Sequence, residues 1–253
     1  MNTLYVVGTA GSGKTTLTGA FSEWLKDQEQ IVATVNLDPA VLSLPYEPDV
    51  DVREIVDYER IMAMRGLGPN GGLVASVREL ARNVEAIRQM VDEMKADWVI
   101  VDTPGQLELF AFRKEGRIIV SKLSDGRRSL LFLIDSMICG NPTCDPAPLG
   151  LPPSAPLSLG LSTLHVLTKS DAVPKRYIRR ILSWHESEEA FDVDASSKLS
   201  GLQVTLAREV IQSVSHISSM VPLVPVSSKT MDGFVELHGL LTRVFGEGEL
   251  ELR

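Results

Sequence analysis

Short, uninterrupted apolar runs alternate along the chain with stretches whose apolar positions recur every three or four residues. The runs are Leu4–Val7, Ile31–Leu37, Trp98–Val101, Leu130–Ile134, Leu164–Leu167 and Leu223–Val226. They are rich in Val, Ile and Leu and do not alternate with polar residues. That is the pattern of parallel strands covered on both faces. Val77, Leu80, Ala81, Val84, Ile87, Val91 and Met94 keep helical spacing and predict a helix over 75–95. Its stripe packs into the core or, for the surplus positions, into a subunit interface. Residues 15–25, 174–190 and 198–219 also predict helices. Strands and helices in alternation imply an α/β fold, with a doubly wound, mostly parallel sheet and helical insertions.

Composition narrows the class. With 253 residues, 44% hydrophobic and 23% charged, the chain has the makeup of a folded globular protein and is long enough to bury a core without staples. Lys+Arg 25 against Asp+Glu 33 leaves a net charge of −8, so no global field draws nucleic acid or anionic lipid. Two cysteines, Cys139 and Cys144, are too few for a disulfide framework. No apolar run of about 20 residues occurs, and the first residues lack a signal-peptide pattern, so a cytoplasmic protein is expected. Residues 139–160 are crowded with Pro, Gly and Ser and predict a loop of open role, without the ligand spacing of a zinc site.

Candidate chemistry begins right after the first run. Gly8-Thr9-Ala10-Gly11-Ser12-Gly13-Lys14-Thr15 fits G-x-x-x-x-G-K-[ST], between a predicted strand and a predicted helix. Such a loop converges backbone N–H groups of Gly11, Ser12, Gly13 and Thr16 on phosphate oxygens, and the helix N-terminus adds its positive end. Lys14 supplies a point charge for the β- and γ-phosphates, and the Thr15 hydroxyl a ligand for Mg²⁺. This restricts the ligand to a nucleoside triphosphate without choosing a reaction. The loop lacks the additional lysine of the deviant phosphate loops in chromosome-partitioning ATPases.

Two strand ends supply carboxylates. Asp102, in Asp102-Thr103-Pro104-Gly105-Gln106, ends a buried-type strand and is a second candidate Mg²⁺ ligand. Gly105 brings a backbone N–H near a γ-phosphate, and Gln106 follows where an attacking water must be oriented. Asp38, in Asn36-Leu37-Asp38-Pro39-Ala40, can bind the metal through water, accept a proton from the attacking water or simply shape a turn before proline.

Thr168-Lys169-Ser170-Asp171 matches [NT]-K-x-D at the end of the fifth run. The Asp171 carboxylate suits guanine N1–H and its exocyclic amine, which adenine cannot offer there. The Lys169 stem can cover the base plane. Thr168 stands where Asn is commoner, so fewer contacts to the base are expected from it. Ser227 and Ser228, after the sixth run, can close over the base.

Gly66-Leu67-Gly68-Pro69-Asn70-Gly71-Gly72 reads by itself as a surface turn. Taken with GTAGSGKTT, NLDPA, DTPGQLE and TKSD, it makes the chain resemble the GPN-loop GTPase family over nearly its whole length, most closely the archaeal members. The resemblance implies a single P-loop GTPase domain over 1–253. One insertion, 52–96, carries the Gly-Pro-Asn loop, and another, 174–220, forms a helical lid or partner surface. It also implies a homodimer in which Gly68, Pro69 and Asn70 reach the partner's phosphates. Thr15 and Asp102 then belong to the Mg²⁺ region, and Asp38, Gln106 and Glu108 to the water-positioning region. The implied activity is Mg²⁺-dependent hydrolysis of GTP to GDP by a molecular switch or assembly factor serving a protein client. A P-loop kinase and a slow-turnover GTP-dependent scaffold are the alternatives. Arg113, Lys114 and Arg117, in 111–121, are expected on a solvated helix face or at a partner contact.

Overall fold

The computed structural model describes residues 1–139, 159–196 and 221–247, with isolated positions 201, 205, 209 and 212. The apolar runs form parallel strands. They are β1 (Asn2–Gly8), β2 (Val32–Asn36), β3 (Val50–Asp51), β4 (Trp98–Asp102), β5 (Arg127–Asp135), β6 (Ser162–Thr168) and β7 (Leu223–Pro225). They make one sheet of seven strands in the order β3-β2-β4-β1-β5-β6-β7. Every pairing is parallel. β3 has two residues, too few to leave a pattern in the sequence.

The central strands β1, β4 and β5 are apolar on both sides because each side meets helices. Leu4 and Val6 of β1, Trp98 and Ile100 of β4, and Leu131 and Leu133 of β5 face one layer. That layer comprises α1 (Lys14–Asp27), through Leu17, Phe21 and Leu25, and the last described helix, Phe234–Glu247. The intervening residues Tyr5, Val7, Val99, Val101, Leu130 and Phe132 face the opposite layer. It is built from α3 (Pro69–Arg82), α4 (Val84–Glu93), α5 (Leu107–Ala111), α6 (Lys114–Lys122), α8 (Lys175–Glu186) and α9 (Glu188–Ser196). The remaining helices are α2 (Tyr58–Arg65) and the single turn α7 (Ser136–Cys139), and Phe234–Glu247 is α10. Each fully buried Leu or Phe in these layers contributes about 2 kcal/mol. Emptying one, as in Phe21→Ala, costs about 3–5 kcal/mol because a cavity remains.

The predicted helix over 75–95 is two helices. α3 starts earlier, at Pro69, and breaks from α4 at Asn83, whose side-chain amide donates to the Glu79 carbonyl (2.9 Å) and competes with the helix ladder. The string read as a surface turn is therefore a helix start. Gly68 is the N-cap, Pro69 occupies the first turn with its φ already set, and the Gly72 N–H donates to the Gly68 carbonyl (2.8 Å). The 174–190 pattern resolves into α8 and α9. The expectations for 139–160 and 198–219 fall almost wholly outside the described residues. No helix among the described residues is long and apolar enough to cross a membrane.

Register brings the strand ends into one line. Asp102 lies opposite both Val6 and Asn36, Asn36 opposite Asp51, and Asp135 opposite Thr168. The loops that follow these ends form the cleft at the carboxyl edge of the sheet, where open α/β sheets bind ligands.

Candidate functional site

The loop after β1 wraps the N-terminus of α1. Gly13, the N-cap, has φ 93°, a left-handed conformation natural to glycine, and offers no side-chain cap. The first-turn N–H groups are thus left for an anion. Lys14 is buried and folded onto its own loop, donating to the carbonyls of Gly8 (3.2 Å) and Thr9 (3.1 Å). Burial lowers its pKa, while the charges of Asp102 and Asp38 work the other way. Ser12 is buried, and its hydroxyl has no partner among the described residues.

Beside this loop, Asp102 ends β4 with 1% of its surface exposed. Desolvation pushes its carboxyl up to about 6, against the opposing pull of the Thr15 hydroxyl and the Lys14 charge. Oδ2 accepts from the Tyr46 hydroxyl (3.4 Å), and Oδ1 has no hydrogen-bond partner among the described residues. A buried carboxylate oxygen left open next to a threonine hydroxyl is a donor set suited to a hard divalent cation such as Mg²⁺.

Asp38 lies two residues past β2 and is steered by its neighbours. Its N–H donates to Asn36 Oδ1 (3.0 Å), and Asn36 Nδ2 donates to Asp51 Oδ1 (3.0 Å) and to the Asp38 carbonyl (3.2 Å). Asp38 Oδ1 accepts from the Ala40 N–H (3.0 Å) and Oδ2 from the Gly105 N–H (3.2 Å). Asp38 is thus joined to the loop after β4. Thr103 holds that loop to the first strand by donating to the Val6 carbonyl (2.6 Å). Gln106 follows, and its Nε2 donates to Asn70 Oδ1 (3.1 Å) at the start of α3. Glu108, in the first turn of α5, is exposed, and no hydrogen bond among the described residues joins it to this cluster.

The other end of the cleft rises from β6 and β7. A cavity of about 240 Å³ is lined by Gly13, Thr16, Thr168, Lys169, Asp171 and Ser228, among others. Lys169 (φ 58°) sends Nζ across to the Gly11 carbonyl (2.7 Å) and to Asp135 Oδ2 (2.6 Å). The Asp171 carboxylate accepts from Ser227 Oγ (2.6 Å), which in turn accepts from the N–H groups of Lys229 (3.2 Å) and Thr230 (3.1 Å). Thr168 does not face the base space with its hydroxyl. It donates to the Ser12 carbonyl (2.8 Å), with the Ile134 carbonyl at 3.1 Å.

The fold therefore gathers Gly11–Thr16, Asp102, Asp38 and Gly105 at one end and Lys169, Asp171, Ser227 and Ser228 at the other. Sequence reasoning missed Tyr46, Asn36, Asp51 and Asp135. Asn36 and Asp135 sit at strand ends, where a polar residue closing an apolar run is a usable signal. Tyr46 lies in an irregular proline-flanked loop with no such signal.

A parallel sheet with this loop after its central strand, a buried Asp ending the neighbouring strand and T-K-x-D beyond defines a nucleotide-binding protein of the P-loop class. A family model described as "Conserved hypothetical ATP binding protein" matches residues 6–247. GPN-loop GTPase PAB0955 of Pyrococcus abyssi is 36% identical, the alignment covering 92% of this chain and 93% of that one. GPN-loop GTPase 1 of Saccharomyces cerevisiae is 28% identical over 93% of this chain, which spans 64% of the yeast protein. The crystal structure of the Pyrococcus abyssi PAB0955 GTPase in apo form superposes with a TM-score of 0.80 at 33% identity, covering 96% of this chain and 97% of that one. The chain belongs to the GPN-loop GTPase family.

Proposed function

We propose that the chain binds GTP and hydrolyses it to GDP and phosphate. The family description names ATP and the relatives' names say GTPase. The observation that decides between them is the Asp171 carboxylate, held by Ser227 at a cavity that opens onto the phosphate loop. A guanine edge supplies the two donors that this carboxylate accepts, and adenine leaves it unmatched.

The residues divide the work. Lys14 exchanges its two loop carbonyls for phosphate oxygens when a triphosphate enters, and the N–H groups of Gly11–Thr16 surround the same charge. Thr15 and Asp102 are the residues that would hold Mg²⁺, and that ion would supply charge neutralisation for the phosphate oxygens. Asp38 is fixed by the N–H groups of Ala40 and Gly105, which leaves lone pairs to accept a proton from water. The Gln106 amide, on the adjacent loop, orients that water, and Glu108 follows two residues on, exposed in the first turn of α5.

The protein acts as a homodimeric switch or assembly factor for a protein client, as the family resemblance implies. Asn70 then reaches the partner's phosphates with its Nδ2 donor, while its Oδ1 accepts from Gln106 Nε2 of its own chain (3.1 Å). Mixed dimers test this directly. If Asn70 acts across the dimer, pairing Asn70→Ala in one protomer with Gln106→Ala in the other leaves one of two sites intact, with about half the activity. If it acts only within its own chain, both sites are damaged and activity collapses.

The test of the main reading is phosphate release from GTP and ATP with no acceptor present. Release from GTP alone is expected. Equal use of ATP, or an absolute need for an acceptor, overturns it.

A further inference from the structure

We infer that Tyr46 is a positioning residue for the metal carboxylate, a role that rests on the Mg²⁺ reading of Asp102 and Thr15. The loop between β2 and β3 leaves the sheet after Asn36 and returns at Val50. Its return is anchored by Asp49 Oδ2, which accepts from the Thr34 N–H (2.7 Å) and the Thr34 hydroxyl (2.9 Å). Three residues before that anchor, Tyr46 turns back over α1. The helix makes room for it with a glycine, since a Cβ on Gly19 would sit 3.1 Å from Tyr46 Cβ and 3.3 Å from its ring. The ring is thus held between a helix and an anchored loop.

From that position the phenol meets one oxygen of Asp102, Oδ2, at 3.4 Å. The other oxygen, Oδ1, has no partner among the described residues although the side chain is buried. The two oxygens are therefore made unequal: one is engaged by a donor and the other is left for the cation. A partner of this kind fixes a ligand's rotamer and sets which lone pairs face the metal. The ring has a second effect. With Thr16 and Gly19 it lines an open cavity of about 750 Å³ whose lining does not include Asp102, so the ring that touches the carboxylate separates it from that space. Keeping water off the carboxylate strengthens its hold on a cation.

The test is Tyr46→Phe, which keeps the ring on Gly19 and removes only the hydroxyl. Mn²⁺ serves as the probe, titrated into the GDP-bound protein and followed by the paramagnetic resonance signal of the free ion. Asp102→Asn is measured alongside. Mn²⁺ affinity is expected to fall about tenfold in Tyr46→Phe. GDP affinity in chelator should stay within twofold of wild type, and turnover should recover at high Mg²⁺. Unchanged Mn²⁺ affinity in Tyr46→Phe, with a loss in Asp102→Asn, overturns the role of Tyr46 and leaves the metal site standing. Unchanged Mn²⁺ affinity in Asp102→Asn overturns the metal reading itself. An equal loss of metal-free GDP affinity in Tyr46→Phe would make the residue a structural prop and also overturn the inference.

Discussion

At the phosphate end of the cleft, buried polar groups are left open. Asp102 Oδ1 and Ser12 Oγ have no hydrogen-bond partner among the described residues, and the Lys14 ammonium rests on its own loop's carbonyls. At the base end, charged groups are already matched within the protein. Asp171 accepts from Ser227, and Lys169 spans Asp135 and the Gly11 carbonyl. A buried polar atom without a partner costs about 1–3 kcal/mol, which an arriving ligand relieves. Matched groups offer no such relief, but their geometry is set before the ligand comes. The contrast assigns affinity to the phosphate end and discrimination to the base end.

The sharpest way to break that assignment is Asp171→Asn. The amide oxygen keeps the Ser227 bond and turns an N–H toward the base, which suits xanthine and not guanine. The ratio of GTP to xanthosine triphosphate affinity is expected to move by on the order of 10⁴, read by competition against a fluorescent nucleotide. Equal losses for both nucleotides would mean that the base end supplies affinity only. Lys14→Met is the counterpart. It removes the charge and keeps most of the volume, so GTP affinity should drop about 100-fold, roughly the worth of a charged hydrogen bond. The preference for GTP over xanthosine triphosphate should not change, and a change would dissolve the division between the two ends.

A third experiment asks what supports the base end. His165 of β6 is packed edge-to-face on His185 of α8, with ring centroids 6.2 Å apart. Burial pushes His165 down to about 3 and His185 down to about 4. Both lie below the ordinary 6.5, so as pH falls the unfolded chain takes up protons before the native one does. The contribution to stability is complete above pH 6.5 and is lost between there and about pH 4 for His185 and about pH 3 for His165. From pH 7 to 5.5 the pair should cost roughly 2 kcal/mol, measured by denaturant titration. The double variant His165→Gln, His185→Gln should flatten that slope. An unchanged slope would shift the acid sensitivity to other groups.

What could be read beforehand follows the same division. The sheet was legible because strands buried on both faces must be apolar throughout, and Leu4–Val7 or Trp98–Val101 satisfy that without help from distant residues. The placement of Lys14, Thr15, Asp102 and Asp171 at the carboxyl edge of the sheet was legible because each stands in a motif that directly follows an apolar run. β3 was not, because two residues carry no period. The opening of α3 was read as a turn because Gly68-Pro69-Asn70 suits either, and only the packing of Val77 and Leu80 against the sheet selects the helix. Tyr46 was hidden for another reason. Its relation to Asp102 spans 56 positions and depends on a glycine in a third element, Gly19.

Thr168 is the smallest and most exacting test, because it belongs to both ends. It stands in the base motif, yet its hydroxyl serves the phosphate loop through the Ser12 carbonyl. Thr168→Val keeps the shape and removes the donor, leaving the carbonyls of Ser12 and Ile134 without it. The expected loss is about 1 kcal/mol, near fivefold in affinity and the same for GTP and ATP. Thr168→Asn restores a donor at that position and should recover most of it. A selective loss for GTP would instead put Thr168 among the residues that choose the base. The border between the two ends would then lie one residue nearer the phosphate loop.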